Sequence, residues 1–353
     1  ASGRPGPAVL MLPADLLVEP YVEEAERKVS LGHFPLDRVA PDPARVAEAA
    51  DLLANAERPL VIAGGGVHSS GGCAELAELQ EACSLPVATT TMGKGTVSER
   101  HPLSVGIVGY YMGFNGRTHH LRDLVTEADV VLLVGNRTNQ NGTGSWKLYP
   151  KDARYIQIDI DGEEIGRNYE ALRLAGDARL ALAALSDELK KRDLARRQAG
   201  RKALEDKIAD GHAKFLAGSE ALRTSSRAPI RPERLMEELA PRLRADDIVV
   251  ADASYSSNWI SNYLVAEEAG QRFLTPRGLA GLGWGLPMEI GAKVGNPDKL
   301  IICLAGDGGF SHCWVEIETA RRMGLDVKLM LLNNHIIGYQ KHAESLRFGM
   351  HTD

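Results

Sequence analysis

Short apolar runs alternate with amphipathic stretches along the first half of the chain. Residues 59–63, 85–90, 130–134 and 155–160 are brief runs rich in Val, Ile and Leu, the pattern of strands covered on both faces in a parallel sheet. Between them, residues 42–57, 73–83 and 121–128 repeat apolar positions at helical spacing, and Pro43 suits the first turn of its helix. Residues 9–12 read as one more short strand. Residues 186–228 break the pattern, being rich in Lys, Arg, Glu and Ala and poor in strand formers. Beyond them it restarts, with helices expected at 232–243, 286–294 and 312–323 and strands at 248–251, 300–304 and 327–332. The alternation predicts an α/β protein with two doubly wound parallel-sheet domains, the first Rossmann-like. The expected division is a first domain at 1–185, a charged helical linker at 186–228 and a second domain at 229–353. No internal repeat is visible.

Composition narrows the function classes. The 353 residues fit about two domains, and 44% apolar with 25% charged residues describes an ordinary globular chain. The net charge of −6 directs the molecule to neither nucleic acid nor an anionic membrane. Lys190-Lys191-Arg192 is surrounded by opposite charges and reads as a solvated helical face rather than a nucleic-acid patch. No apolar run approaches the ~18 residues of a membrane span. Cys73, Cys83, Cys303 and Cys313 form no CxxC pair, which suits reduced thiols in a cytoplasmic protein. The opening Ala1-Ser-Gly-Arg-Pro-Gly-Pro7 has no Met, no signal-peptide pattern and a loop-like composition, so the chain is expected to begin partway through a larger protein.

The candidate chemistry concentrates near residue 306. A strand runs into Gly306-Asp307-Gly308-Gly309, and 24 residues separate Gly308 from Asn333-Asn334, enough for one helix and one strand. Both motifs then fall at the carboxyl edge of one sheet, where open α/β sheets bind ligands. Glycines let backbone N–H groups approach a phosphate. A carboxylate and an amide oxygen beside a diphosphate suit Mg²⁺, which takes few protein ligands and completes its shell with phosphate oxygens and water. His119-His120 has no further ligand at metal spacing and reads as surface; no nucleophile elbow is present. No G-x-G-x-x-G opens the first βα unit, as a plain NAD-dependent dehydrogenase would require.

This pairing resembles the diphosphate and magnesium motif of thiamine diphosphate enzymes. Further segments resemble the acetolactate-synthase-like (pyruvate oxidase/decarboxylase) branch: Gly278-Leu-Ala-Gly-Leu282-Gly-Trp-Gly-Leu-Pro287, Asp252-Ala-Ser-Tyr255-Ser256-Ser-Asn-Trp259, and in the first half Pro59-Leu-Val-Ile-Ala-Gly-Gly-Gly66, Thr91-Met-Gly-Lys-Gly95 and Ile158-Asp-Ile-Asp-Gly-Glu-Glu-Ile-Gly166. The resemblance implies a central domain followed by a C-terminally incomplete thiamine diphosphate-binding domain. Asp307 and Asn334 would bind Mg²⁺ through side chains and Ile336 through its carbonyl. Gly306, Gly308, Gly309, Tyr255 and Ser256 would hold the diphosphate. The backbones of Ala280 and Leu282 would face the aminopyrimidine, with Leu282 as the wedge that forces the cofactor into its V shape. His335 is a candidate for the substrate channel or a solvated loop residue. Gln340, Lys341 and His342 begin a segment lining the site without assigned chemistry. Tyr255-Ser256 stands where many acetolactate synthases have Gln-His. Gly135-Asn-Arg137-Thr-Asn-Gln-Asn-Gly-Thr-Gly144 keeps one Arg of the family's flavin segment but loses its acidic pair, which argues against FAD.

The implied reaction is decarboxylation of a 2-keto acid and carboligation of the resulting enamine to a second carbonyl. A simple 2-keto acid decarboxylase and a specialised carboligase of secondary metabolism stand as alternatives. The family's pyrimidine-binding domain, which carries the activating Glu, does not precede Ala1. It is expected on the missing part of the chain or on a separate subunit, and without either the chain would be a noncatalytic nucleotide-binding or regulatory subunit. In the family the cleft lies between chains, so a homodimer or homotetramer is expected.

Overall fold

The computed structural model describes residues 3–20 and 35–352. The first unit is built on strands β1 (Pro59–Ala63), β2 (Val87–Thr89), β3 (Ser104–Ile107), β4 (Val130–Val134), β5 (Arg154–Asp159) and β6 (Ala171–Ala175). They form one sheet in the order β3-β2-β1-β4-β5-β6, and every pairing is parallel. Helices α1 (Pro43–Asn55), α2 (Gly65–Ser70), α3 (Cys73–Ala82), α4 (Asp123–Thr126), α5 (Ala178–Leu189) and α6 (Ala195–Arg223) surround it. Side chains alternate across the sheet as the strand period of two demands. Val61, Ala63, Leu132 and Val134 pack with Leu53, Leu79 and Leu182 of α1, α3 and α5 on one face. Leu60, Ile62, Val131 and Leu133 pack with Leu121, Val125 and Ile208 on the other.

Ile208 belongs to α6, so the charged stretch does more than bridge two units. Its 29 residues bury a narrow stripe of Ile208, Gly211, Phe215 and Ser219, flanked by half-buried positions such as Leu204 and His212, while most others stay in water. Gly211 is required there, because a Cβ would lie 2.3 Å from Leu121 Cδ2. The hydrophobic signal is faint for that reason: a stripe of four small contacts is enough to cover the sheet face.

The second unit contains β7 (Ile248–Ala251), β8 (Phe273–Leu274), β9 (Ile301–Gly306) and β10 (Lys328–Leu332) in the parallel order β10-β9-β7-β8. Its helices are α7 (Pro232–Leu239), α8 (Tyr255–Tyr263), α9 (Gly285–Gly295), α10 (Asp307–Phe310), α11 (Glu316–Arg322) and α12 (Gly338–Phe348). Among the described residues no helix is long and apolar enough to cross a membrane.

Several sequence expectations need correction. Residues 9–12 form no strand; Val9 is 86% exposed and no described strand lies beside it to complete its hydrogen bonds. An isolated apolar tetrapeptide has no ladder partner and stays extended coil. The helix expected at 312–323 begins only at Glu316. Strands β3, β6 and β8 and helices α8 and α12 were not anticipated, because β6 alternates with exposed Arg173 and β8 has two residues.

A buried ion pair of the first unit lies where the two units meet. Lys94 and Glu99 lie 2.5 Å apart with side chains 1% and 4% exposed. The same Glu99 oxygen accepts the backbone N–H of Ala266 at 2.9 Å, and Lys94 Nζ sits 4.8 Å from the Phe273 ring centroid. Burial pushes the Lys94 ammonium down from its usual value. Burial alone would raise the Glu99 carboxyl, but Lys94 and Arg117 outweigh it and hold it low. Gly95 presses on the other unit so closely that a Cβ would meet Gln271 O at 2.0 Å. Replacing Lys94 by Met leaves Glu99 buried without its counter-charge, so chemical denaturation is expected to show a loss of about 3–5 kcal/mol. The double variant Lys94→Met/Glu99→Leu should recover most of it.

Candidate active site

The carboxyl ends of β7, β9 and β10 open into one cavity of about 990 Å³. The sheet order sets this up: three adjacent parallel strands deliver the turns after Ala251, Gly306 and Leu332 to the same edge. Asp307, Gly306, Gly308, Gly309, Asn334, Ile336, Tyr255, Ser256 and Leu282 all line it. Ala280 and His335 do not; both are exposed and adopt left-handed backbone conformations, φ +55° and +60°. The structure therefore brings together nine of the eleven residues singled out from sequence and leaves the other two on flanking loops.

Asp307 starts α10 and is half-buried. Its carboxylate has no hydrogen-bond or ion-pair partner among the described residues. Asn334 Oδ1 accepts the N–H of Ile336 at 3.3 Å, a long bond that shapes the turn after β10. Among the described residues no three or more His, Cys, Asp or Glu are grouped so that they could hold a metal ion by themselves. A lone carboxylate, an amide and a carbonyl suit a hard cation that draws its other ligands from phosphate and water.

The glycines divide into two kinds. A Cβ on Gly309 would lie 2.6 Å from Asp252 Oδ2, and one on Gly308 2.9 Å from Ile337 Cγ1, so protein packing explains both. A Cβ on Gly306 would meet nothing closer than 4.0 Å, where it would sit between Ser256 Oγ and Leu332 O. Its missing side chain leaves space in the cavity for a ligand.

The α8 turn forms the opposite wall. Ser254, before the helix, holds φ +70° and ψ −145°, a conformation costly for any residue but glycine. Tyr255 Oη lies 2.5 Å from His342 Nδ1 on α12. Burial and then the neighbouring Tyr339 push the phenol up. Its ring also packs against Trp259, Tyr339 and His342. Sequence reasoning placed Tyr255 at the site and missed this union with α12, since nothing in a linear pattern pairs residues 87 positions apart.

Residues 46–185 match the central domain of thiamine pyrophosphate enzymes, and residues 252–353 match their C-terminal TPP binding domain. The chain belongs to the thiamine pyrophosphate enzyme family. It is 32% identical to a probable acetolactate synthase large subunit of Methanococcus aeolicus, over 99% of this chain and 59% of that protein. It is 33% identical to the probable acetolactate synthase large subunit of Methanocaldococcus jannaschii, over 99% of this chain and 58% of that protein. To acetolactate synthase isozyme 2 large subunit of Escherichia coli the identity is 29%, over 98% of this chain and 59% of that protein. The chain thus spans about three fifths of the length of these relatives, 58–59%.

The unit that matches the central-domain model has its own cleft, of about 360 Å³, where the strand order reverses between β1 and β4. Its glycines answer to packing: a Cβ on Gly64 would lie 2.2 Å from Gly135 O, and one on Gly66 2.6 Å from Gly135 Cα. Asp37, Asp159 and Asp177 line it. Arg4, also in its wall, is engaged by Asp161 and Glu164.

Behind the main cavity, Glu289 of α9 is fully buried. One carboxylate oxygen accepts the Lys328 N–H at 2.6 Å, where β10 begins, and the other has no partner. Burial pushes the carboxyl up to about 7. Because the folded protein holds this proton more tightly than the unfolded chain, stability falls as pH rises from the ordinary Glu value to about 7 and then levels off. Glu289→Gln should remove that slope; its advantage over wild type should grow across this window to on the order of 3 kcal/mol in denaturation curves.

Proposed function

We propose that the chain binds thiamine diphosphate with Mg²⁺ and forms part of an acetolactate-synthase-like enzyme that decarboxylates a 2-keto acid and joins the product to a second carbonyl compound. The observation that carries this reading is the unpartnered Asp307 carboxylate beside Asn334, in a cavity where Gly306 leaves an open approach. Asp307, Asn334 and the Ile336 carbonyl would hold the metal. Gly306, Gly308, Gly309, Ser256 and the start of α8 at Tyr255 would receive the diphosphate, since free N–H groups at a helix start favour an anion. Leu282 would support the thiazolium from the cavity wall and Ala280 would offer backbone to the aminopyrimidine, while His335 would flank the substrate entrance.

The bound cofactor supplies the electron sink for breaking the bond to the carboxylate. The chain's own residues bind and orient it, and the apolar side chains of Ile337, Leu332 and Leu235 limit water at the cavity wall. The family resemblance puts the activating Glu on a pyrimidine domain, from a second copy in a homodimer or homotetramer or from a separate subunit. Four free cysteines accord with a cytoplasmic location. Tyr255, where many acetolactate synthases have Gln, is bonded to α12 and packed among aromatic rings.

Calorimetric titration of thiamine diphosphate into the full chain with Mg²⁺ tests the reading. Wild type should give a saturable, metal-dependent heat, and Asp307→Ala should give none. Gly306→Val should keep the wild-type melting temperature, because its side chain enters open space, and still fail to bind. Absence of binding by the wild-type chain together with its pyrimidine domain would refute the proposal.

A further inference from the structure

We infer that Asp252 is a positioning residue that sets the Leu282 loop against the Gly308-Gly309 turn, an inference that rests on the thiamine diphosphate reading of this cavity. Asp252 follows β7 and is 1% exposed. Its Oδ1 accepts the N–H of Ala253 at 2.6 Å, and its Oδ2 accepts the N–H of Gly283, next to Leu282, at 3.2 Å. From the third side, Gly309 approaches so closely that a Cβ there would lie 2.6 Å from Oδ2. Gly285, at the start of α9, is held as near: its Cβ would lie 3.1 Å from Asp252 Cβ and from Cys303 Sγ. One carboxylate therefore touches the turn after β7, the loop before α9 and the turn after β9.

The charge matters as much as the contacts. No cation pairs with Asp252 among the described residues, and a buried carboxylate without one must be stabilised by N–H groups. Gly283 N–H, just ahead of the 11-residue α9, is one of the two that serve it, and the positive end of that helix adds to the effect. Opening the 278–285 loop would strand the charge, so the carboxylate holds the loop closed. It thereby fixes how far Leu282 stands from the backbone expected to carry the diphosphate. Two of the glycines in the family-like segments, Gly285 and Gly309, are explained by the room that Asp252 occupies.

Asp252→Asn keeps the volume, but its NH₂ must face either Ala253 N–H or Gly283 N–H, both donors. In the ligand-free full chain, hydrogen exchange followed by mass spectrometry should show peptides over 278–285 exchanging roughly tenfold faster or more, as expected for a lost charge-assisted bond, with β9 peptides unchanged. Thiamine diphosphate with Mg²⁺ should bind roughly tenfold more weakly, and at saturation the near-ultraviolet circular dichroism of the bound cofactor should differ from wild type. Unchanged loop exchange overturns the inference, as does acceleration spread equally into β9, which would make Asp252 a general stabiliser. Faster loop exchange with wild-type affinity and wild-type dichroism overturns it too. If the Asn variant does not fold, Gly285→Ala presses on Asp252 from α9 and must loosen the same loop. Failure of the wild-type protein to bind the cofactor would refute the functional reading, while the exchange experiment would still decide whether Asp252 holds the loop.

Discussion

The relation between the two sheets depends on the Lys94–Glu99 pair. An ammonium and a carboxylate withdrawn from water cost several kcal/mol each unless they meet in good geometry. Lys94 and Glu99 both belong to the first unit, and the second unit completes their environment with Ala266 N–H and the Phe273 ring. Separating the units would leave the two charges together but return them to water and remove these second-unit partners. The seam is extended by Tyr111 donating to Asn258 Oδ1 at 3.1 Å, and by the Arg117 backbone N–H donating to Asn262 Oδ1 at 3.0 Å. Asn258 and Asn262 belong to α8, whose first turn walls the cavity, so the docking that buries the ion pair also fixes one side of the candidate site.

Within the second unit, parallel pairing does the rest. Strands of one direction deliver their following turns to one edge, and the turns there are glycine-rich because they crowd each other. Gly309 and Gly283 meet Asp252 and His312 at distances that no side chain could occupy, and Gly285 meets Asp252 almost as tightly. Gly306 differs, since nothing in the protein fills the space that it leaves. Packing glycines and binding glycines look alike in a motif and separate only when each neighbour is known.

The local signals were strong where one element answers to its own residues. β1 and β4 are uninterrupted aliphatic runs, buried along their full length, and α1 has Asp42 accepting from Ala44 N–H with Pro43 behind it. They were weak where a neighbour decides. β6 has only one fully buried residue and exists because β5 offers it a ladder. The apolar run at 9–12 has as good a strand composition and no such partner among the described residues. α6 looked like a solvated linker because its buried stripe is four residues wide in a helix of 29.

The sequence by itself determined the fold class, the strand–helix alternation and the pairing of Gly306-Asp307-Gly308 with Asn333-Asn334. Those depend on periodicity and on spacing through one helix and one strand, which linear order carries in full. Only the tertiary structure decided that Asp307 lacks a partner, that Tyr255 binds His342, that Asp252 ties three turns together and that Ala280 and His335 stand outside the cavity. Each is a relation between residues brought together by docking, and burial, charge compensation and excluded volume take values only once the chain has folded around them.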